Sequence, residues 1–286
     1  MSQETDSSCF FASRSQRRKT PGAHSVEIGI SGQIYIDHEL PINDGVFMSV
    51  VPGSNDWKQW TEFLEQVQQA FSTKPTLAGV IHGQRRIKLG KRGFRANHFP
   101  STKSAMEGLT STSLPMDSRA ETAYAIQLDR DPNVQAYRPQ AIQLQLPNGT
   151  VIPDFLIIDQ AGHIHVREVK ADKRYLSNEM RKHTDQLSVI LGRWGVSYAV
   201  VDTLDMPQGI KLINLKWLNQ RITSHPNEQQ IEAFLKLGFK NCTYAELIEL
   251  CKSQEMEPSL VPFLLFTEKL KFDWEKLIVD STEVSQ

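Results

Sequence analysis

The chain has 286 residues, 40% of them hydrophobic, which is enough for about two domains with hydrophobic cores. Its formal net charge of −1 excludes a chain that coats nucleic acid along its whole length, and no apolar run approaches the roughly 20 residues that a membrane-spanning helix needs. Three cysteines without paired spacing argue against a disulfide framework or a zinc site, and the polar N-terminus lacks an apolar signal segment.

The first 84 residues are predicted to hold a disordered tail and a small α+β module. Residues 1–22 are dominated by Ser, Gln, Arg and Thr, a composition typical of disorder. Short β-type runs interrupted by glycines follow at 26–30, 33–36 and 46–51. Residues 56–71 have helical periodicity, with one apolar face formed by Trp57, Trp60, Phe63, Leu64 and Val67. We expect that face to belong to a core rather than to a binding platform.

A basic segment comes next. It has six cations and no acid, namely Arg85, Arg86, Lys88, Lys91, Arg92 and Arg95. Such a run on its own is more often a solvated loop than a functional surface. If the neighbouring domain acts on DNA, the segment is expected to contact the phosphate backbone.

The middle of the chain predicts an α/β core. Its elements are, in order, a helix at 118–128, strands at 137–146, 151–158 and 164–170, a helix at 175–194 and a strand at 197–201. Pro147-Asn148-Gly149 is typical of a hairpin turn between the first two strands. The turn at residues 159–162 would fold the second strand back against the third.

The C-terminal segment differs in charge from the rest. Eleven acids face six lysines between residues 225 and 286, which suits a protein-docking role better than phosphate contacts. Helices are predicted at 228–237, 243–251 and 258–265, followed by a β-prone run at 276–279. This order suggests a winged-helix-like fold. The predicted domains are therefore residues 1–84, 85–222 and 223–286.

Four charged residues of the middle segment lie where its predicted elements begin or end. Glu121 is in the first turn of the helix at 118–128, and Asp154 follows Pro153 in the second strand. Glu168 and Lys170 are two apart at the end of the third strand, so their side chains leave the same face. Hydrolysis of a phosphodiester at neutral pH needs carboxylates to hold Mg²⁺ and a group that orients or activates water. The order of these four residues along the chain predicts a metal-dependent nuclease.

Each of these residues also has a purely structural interpretation. Ser118-x-x-Glu121 is the pattern of a capping box at a helix N-terminus. Asp154 could simply end a strand, and Glu168 and Lys170 could form a solvated ion pair. The joint pattern favours the nuclease interpretation.

The stretch from about residue 94 to 202 resembles the TnsA family, the end-cleaving endonuclease subunit of heteromeric bacterial transposases, which has a restriction-endonuclease-like PD-(D/E)XK core. The matching pieces are Phe99-Pro100-Ser101-x-Lys103, Ser118-Arg119-Ala120-Glu121, Asp129-x-Asp131-Pro132-x-Val134-x-x-Tyr137-x-x-Gln140, Pro153-Asp154-Phe155-Leu156 and Glu168-Val169-Lys170. They cover a little over a third of the chain. The chain has Ala141 where many family members have proline after the glutamine.

The resemblance implies a Mg²⁺-dependent DNA endonuclease, with Mn²⁺ as an expected substitute, that cuts at the 5′ ends of a mobile element during transposition. Asp154 and Glu168 would bind the metal ion, and Glu121 would complete the site from its helix. Lys170 would orient or activate water and stabilise charge on the phosphate. Gln140 is expected to position one of these groups. A further set of expected DNA contacts comprises the basic segment and Lys103.

The implied setting is the bacterial cytoplasm, without a membrane. The implied partners are double-stranded DNA at the element ends, a TnsB-like DDE transposase and a TnsC-like AAA+ ATPase. Two alternatives stay open. One is a stand-alone restriction or repair endonuclease of the same fold, and the other is a non-catalytic DNA-binding assembly factor.

Overall fold

The structure is a computed structural model that describes residues 53–72, 97–104, 112–147, 149–223 and 225–286, together with the backbone of 26–28 and 34–36. The basic segment at 85–95 and the predicted β run at 46–51 lie outside the described residues. In the part that is described, no helix is long and apolar enough to cross a membrane.

The described chain is mixed α/β. The helices are α1 (Asn55–Ser72), α2 (Arg119–Arg130), α3 (Asn178–Arg193), α4 (Gly209–Asn219), α5 (Glu228–Leu235), α6 (Tyr244–Ser253) and α7 (Leu260–Phe266). The strands are β1 (Val26–Ile28), β2 (Ile34–Ile36), β3 (Asn97–Ser101), β4 (Thr112–Met116), β5 (Val134–Pro139), β6 (Leu144–Leu146), β7 (Gly149–Val151), β8 (Phe155–Asp159), β9 (Ile164–Lys170), β10 (Ser197–Asp202), β11 (Cys242–Thr243) and β12 (Glu283–Val284).

A four-stranded mixed sheet with the order β10-β9-β8-β5 lies at the centre. The β5–β8 and β8–β9 pairs are antiparallel, whereas β10 is parallel to β9 and is reached through α3. The predicted turn between β8 and β9 is confirmed. In that turn Asp159 Oδ1 accepts the backbone N–H groups of Ala161 and His163, both at 2.9 Å, and Gly162 adopts a φ of 84°.

The two strands predicted at 137–146 and 151–158 are wrong as continuous elements, because each is interrupted. The first breaks after Pro139, where Gln140 adopts a φ of 47°, and resumes as β6. The second breaks between β7 and β8 at Pro153, which has no N–H to give to a ladder. The predicted hairpin across Gly149 is confirmed, but it is the separate two-stranded β6–β7 sheet. Asp154 lies directly after the second break, one residue before β8 begins.

The central sheet has a hydrophobic core on each face. On one face α1, α3 and the β6–β7 hairpin pack against β8 and β9. The apolar stripe of α1 is core, as predicted: the rings of Trp60 and Phe63 lie 5.8 and 5.4 Å from that of Trp194 at the end of α3. On the other face α2, α4 and the C-terminal helices share one core. Both cores include residues from two of the predicted domains.

The three helices predicted in the C-terminal segment are confirmed, as is the capping box between Thr243 and Glu246. The strand expected at 276–279 is wrong. The side chain of Asn214 in α4 donates to Lys276 O at 2.8 Å and accepts the Ile278 N–H at 3.1 Å, so it satisfies the backbone groups that a neighbouring strand would have bound. The strand of this region is instead β12, which pairs with β11.

Arg130, at the last turn of α2, joins the C-terminal segment to the sheet domain. Its Nε donates to Phe266 O at 2.7 Å, and its guanidinium forms a 2.6 Å ion pair with Glu268. The guanidinium also lies over the rings of Phe266 and Trp274, at 5.9 and 5.7 Å from their centroids. Because α7 is buried along its whole length, this contact is part of a packed interface.

Candidate active site

Three charged side chains meet where β9 ends. Lys170 Nζ lies 2.7 Å from Glu168 Oε2 and 3.9 Å from Asp154 Oδ2. The strand register explains why Asp154 and Glu168 are close. Phe155 pairs with Arg167 across the β8–β9 hairpin, and Asp154 and Glu168 are the next residues along the two strands, away from the turn. The prediction that Glu168 and Lys170 share a face is confirmed by their ion pair. Lys170 is the counter-ion of both carboxylates.

The backbone holds Asp154 in place. Its Oδ2 accepts the N–H of Val169 in β9 at 2.7 Å, so the carboxylate is bound to the strand that carries Glu168. Its carbonyl oxygen accepts the N–H of Gln140 at 2.9 Å, across the two strand breaks. A short charge-assisted bond of this kind fixes the carboxylate in one orientation.

Glu121 has a structural role at the start of α2, although only the Ser118 half of the predicted capping box forms. Ser118 Oγ accepts the Glu121 N–H at 3.0 Å and donates to Glu121 Oε1 at 2.9 Å. Glu121 Oε2 accepts the N–H of Asp117 at 3.0 Å. The side chain is 7% exposed, and it is near enough to Asp154 for the charge of that carboxylate to help raise the pKa of Glu121. A cap and a site residue are compatible when the helix N-terminus points into the site.

The carboxylates of the site repel one another. Burial, followed by the charge of Asp154, raises the pKa of Glu121 to about 7. Burial and the same Asp154 charge raise the pKa of Glu168 to about 7, although Lys170 opposes the shift. Burial lowers the pKa of Lys170, but Glu168, Asp154 and Glu121 together raise it above its ordinary value. The site therefore has an excess of negative charge that a further cation would relieve.

The donor groups suit a hard divalent cation, although they are not gathered around one point. Among the residues that the structure describes, no three His, Cys, Asp or Glu side chains are arranged to hold a metal ion. The chemistry nevertheless fits Mg²⁺, which prefers carboxylate and carbonyl oxygens and retains several waters. Lys170 forms ion pairs with Asp154 and Glu168, while the Asp117 N–H, just before α2, donates to Glu121. A bound cation would compete with these internal partners.

Gln140 lies at the break between β5 and β6 and is 1% exposed. A non-glycine residue at φ 47° costs about 1 kcal/mol. Its Nε2 donates to Asp117 Oδ2 at 3.0 Å, but its Oε1 is buried and accepts no hydrogen bond from any described residue. An unsatisfied buried acceptor costs about 1–3 kcal/mol. Backbone strain and a buried acceptor without a described donor thus coincide at the residue whose N–H binds Asp154 O.

Lys103 donates its ammonium to backbone carbonyls of the fold, and its expected contact with DNA stays a prediction. Lys103 Nζ donates to Leu128 O at 3.0 Å and also to Asp131 O, which are carbonyls at the C-terminus of α2. Burial lowers its pKa. Nearby, Ser101 Oγ donates to the buried carboxylate of Asp129 at 2.8 Å. Residues 99–103 therefore bind the C-terminal end of α2, the helix that carries Glu121 in its first turn. The DNA-binding role of the segment at 85–95 stays a prediction.

Two neighbours of the site were missed from the sequence. Asp117 connects Glu121 with Gln140, and nothing in its local sequence indicated this long-range contact. Tyr198 in β10 faces Val166, so strand alternation places it on the same face as Glu168. Burial, and then the charge of Glu168, raise the pKa of Tyr198. The alternation of β9 and β10 could have revealed Tyr198 if their parallel register had been known.

No known protein-family model matches the chain, and no curated protein is significantly similar to it. The resemblance to TnsA therefore depends on the ordered residues quoted above.

Proposed function

We propose that this chain is a metal-dependent DNA endonuclease that resembles the TnsA subunit of heteromeric transposases. The observation that carries the proposal is the meeting of Asp154, Glu168 and Lys170 at the end of β9, with Glu121 facing them from α2. Two acids and a lysine where β8 begins and β9 ends are a constellation that suits metal-assisted phosphodiester hydrolysis.

The order of elements supports the proposed restriction-endonuclease-like core. A helix, three antiparallel strands, a crossover helix and a parallel strand occur in the order α2, β5, β8, β9, α3 and β10, with the β6–β7 hairpin inserted between β5 and β8. Glu168 lies on β9, and Asp154 immediately precedes β8. The proposed site is therefore at the end of the sheet where β8 begins and β9 ends.

The charged side chains of the proposed site have different roles. Asp154 and Glu168 would hold the cation, and Glu121 would complete the oxygen set from the helix N-terminus. When bound, the metal ion would polarise the phosphate and lower the pKa of a bound water. The raised pKa of Lys170 keeps it charged at neutral pH. We therefore assign Lys170 to orienting water and stabilising charge on the phosphate, rather than to accepting a proton.

The proposed setting is the end of a mobile element, with a TnsB-like transposase and a TnsC-like ATPase as partners. The acidic C-terminal segment is the proposed protein-docking surface. The segment at 85–95 is the proposed phosphate-binding arm. These assignments depend on the resemblance and on charge, and each is separable from the chemistry of the site.

The test is Mg²⁺-dependent cleavage of DNA that carries a mobile-element end, with and without the partner transposase. We expect Asp154→Asn and Glu168→Gln each to lower the cleavage rate by about 100-fold or more. Asp154→Asn retains an oxygen for the Val169 N–H, so the fold should be kept. The matched control is Asp185→Asn, at an exposed position of α3.

Equal cutting by the wild type and both site variants would overturn the proposal, as would the absence of any cutting with the partner present. Cutting of DNA without an element end and without partners would instead favour the stand-alone endonuclease.

A further inference from the structure

A chain of hydrogen bonds connects the two elements that supply the carboxylates. Asp117 donates its N–H to Glu121 Oε2 at 3.0 Å and accepts the Nε2 of Gln140 on its Oδ2 at 3.0 Å. The N–H of Gln140 then donates to Asp154 O at 2.9 Å. The side chain of Gln140 thus binds the α2 end and its backbone binds the Asp154 segment. This chain is a polar connection between Glu121 and Asp154.

Fold stability alone does not account for a glutamine at this position. A left-handed φ is adopted more readily by glycine or asparagine, so Gln140 is strained where it lies. Its Oε1 is also buried without a hydrogen-bond donor among the described residues. The orientation of the amide is fixed, because reversing it would place an oxygen against the carboxylate of Asp117. The free oxygen is therefore the carbonyl of the amide, which is a suitable ligand for Mg²⁺ or for its bound water.

We propose that Gln140 is a positioning residue of the candidate site: through Asp117 it sets the placement of Glu121 relative to Asp154, and its buried Oε1 supplies one more oxygen for a divalent cation. This inference rests on the proposed metal-dependent nuclease function. It adds an amide to the set of carboxylates. It also gives the break between β5 and β6 a role, since a continuous strand could not present this side chain to the end of α2.

The experiment titrates the full-length chain, without DNA, with Mg²⁺ and separately with Ca²⁺, and measures binding by calorimetry. Gln140→Ala keeps the backbone strain and removes the amide, and we expect it to weaken binding of both ions at least 10-fold. Gln140→Gly removes the amide and the strain together, so it provides a stable variant if the alanine variant folds poorly. Gln145→Ala is the matched control, because Gln145 is exposed on β6, and it should bind as the wild type does.

The role of Asp117 is tested by a double-mutant cycle. Asp117→Ala keeps the backbone N–H to Glu121 but removes the acceptor for Gln140, whereas Asp117→Asn retains an oxygen acceptor. We expect the alanine variant to weaken ion binding and the asparagine variant to restore most of it. The double variant Asp117→Ala, Gln140→Ala should have an ion affinity within about 2-fold of that of the single variant that binds the ion more weakly. The reason is that both changes break the same Asp117–Gln140 hydrogen bond.

In DNA cleavage, loss of positioning should lower kcat with little change in KM for DNA. Wild-type ion affinity in both Gln140→Ala and Gln140→Gly would overturn the inference, and so would additive effects in the cycle. In that case a wild-type chain that still binds Mg²⁺ and cuts DNA leaves the nuclease proposal intact. A wild-type chain that neither binds Mg²⁺ nor cuts DNA would overturn both.

Discussion

Lys170 is the cation that balances the carboxylates at the end of β9. Its ammonium is closer to Glu168 than to Asp154, and the charge of Glu121 also contributes to raising its pKa. Replacing one member of a buried ion pair leaves the other without compensation. In this site the uncompensated group would be Glu168, which is 8% exposed.

We therefore expect Lys170→Met to raise the pKa of Glu168 further and to slow DNA cleavage by about 100-fold or more, since the charge on the phosphate loses a donor. Single-turnover cleavage measures the effect. Lys236→Met is the matched control, because the Lys236 side chain is 76% exposed in a surface ion pair. A Lys170→Met rate within a few-fold of wild type would show that the ammonium only neutralises the site.

Asp129 makes the stability of the fold depend on pH. Burial raises its pKa to about 6, although hydrogen bonds from Ser101, Tyr137 and Thr102 oppose the shift. The folded state therefore holds this proton more tightly than the unfolded state does. Its stabilising effect is complete below about pH 4 and is lost as the pH rises to about 6. A shift of this size corresponds to about 3 kcal/mol.

Asp129→Asn removes the titrating group at nearly constant shape. Denaturant unfolding of both proteins between pH 4 and pH 8 gives the difference in their free energies of unfolding. We expect the wild type to lose about 2 kcal/mol relative to the variant between pH 4 and 6, and less than about 1 kcal/mol more by pH 8. A constant difference across the range would mean that Asp129 does not titrate in the folded protein.

At the scale of elements, the side chain of Asn214 holds the segment at 276–279 against α4. Asn214 is 1% exposed, and Asn214→Ala would leave Lys276 O and the Ile278 N–H without their partner. We expect a loss of about 2–4 kcal/mol in the free energy of unfolding. Denaturant titration measures it, with the exposed Asn133→Ala as control. If the two variants were equally stable, the segment would not depend on this contact.

The elements that the sequence predicted correctly are those defined by local signals. The caps at Ser118 and Thr243 mark the starts of α2 and α6, and the turn at 159–162 sets the β8–β9 hairpin. Helix α4 was missed because it begins at Gly209 without a side-chain cap. The β-prone run at 276–279 was assigned wrongly because its hydrogen-bond partner, Asn214, lies 62 residues away from Lys276.

The same difference between local signals and long-range contacts holds at the candidate site. Strand alternation was sufficient to bring Glu168 and Lys170 together, and the turn was sufficient to add Asp154. The contacts of Asp117 with Glu121 and Gln140 depend on a strand break that propensity does not indicate, since β-prone residues lie on both sides of it. A pattern shows which face a side chain leaves, but not where a strand is interrupted by tertiary contacts.

At the scale of the whole molecule, the C-terminal segment is part of a shared core. Phe263 and Phe266 of α7 are buried in the same cluster as Tyr124 of α2 and Leu215 of α4. Burial of such side chains contributes about 1.5–3 kcal/mol each. The charge contrast that marks the segment in the sequence is therefore a surface property, and the packing beneath it is continuous.

We therefore expect a chain that ends at residue 222 to be strongly destabilised, with a thermal midpoint about 10 °C or more below that of the full chain. Calorimetry on both proteins measures the difference. Removal of residues 1–25, which precede β1, should have little effect and serves as the control. A truncated chain with an unchanged midpoint would show that the sheet and its two cores fold without the C-terminal helices.

The contact of Arg130 with the C-terminal segment has a mechanical consequence. Helix α2 carries Glu121 in its first turn and Arg130 in its last, and its 12 residues span about 18 Å as one rigid rod. Arg130 is bound to Phe266 and Glu268, so a shift of α7 would be transmitted to that end of α2. A rigid helix would carry the shift to its other end, where the Glu121 carboxylate lies. A protein that binds the acidic segment would therefore be connected through α2 to the candidate site.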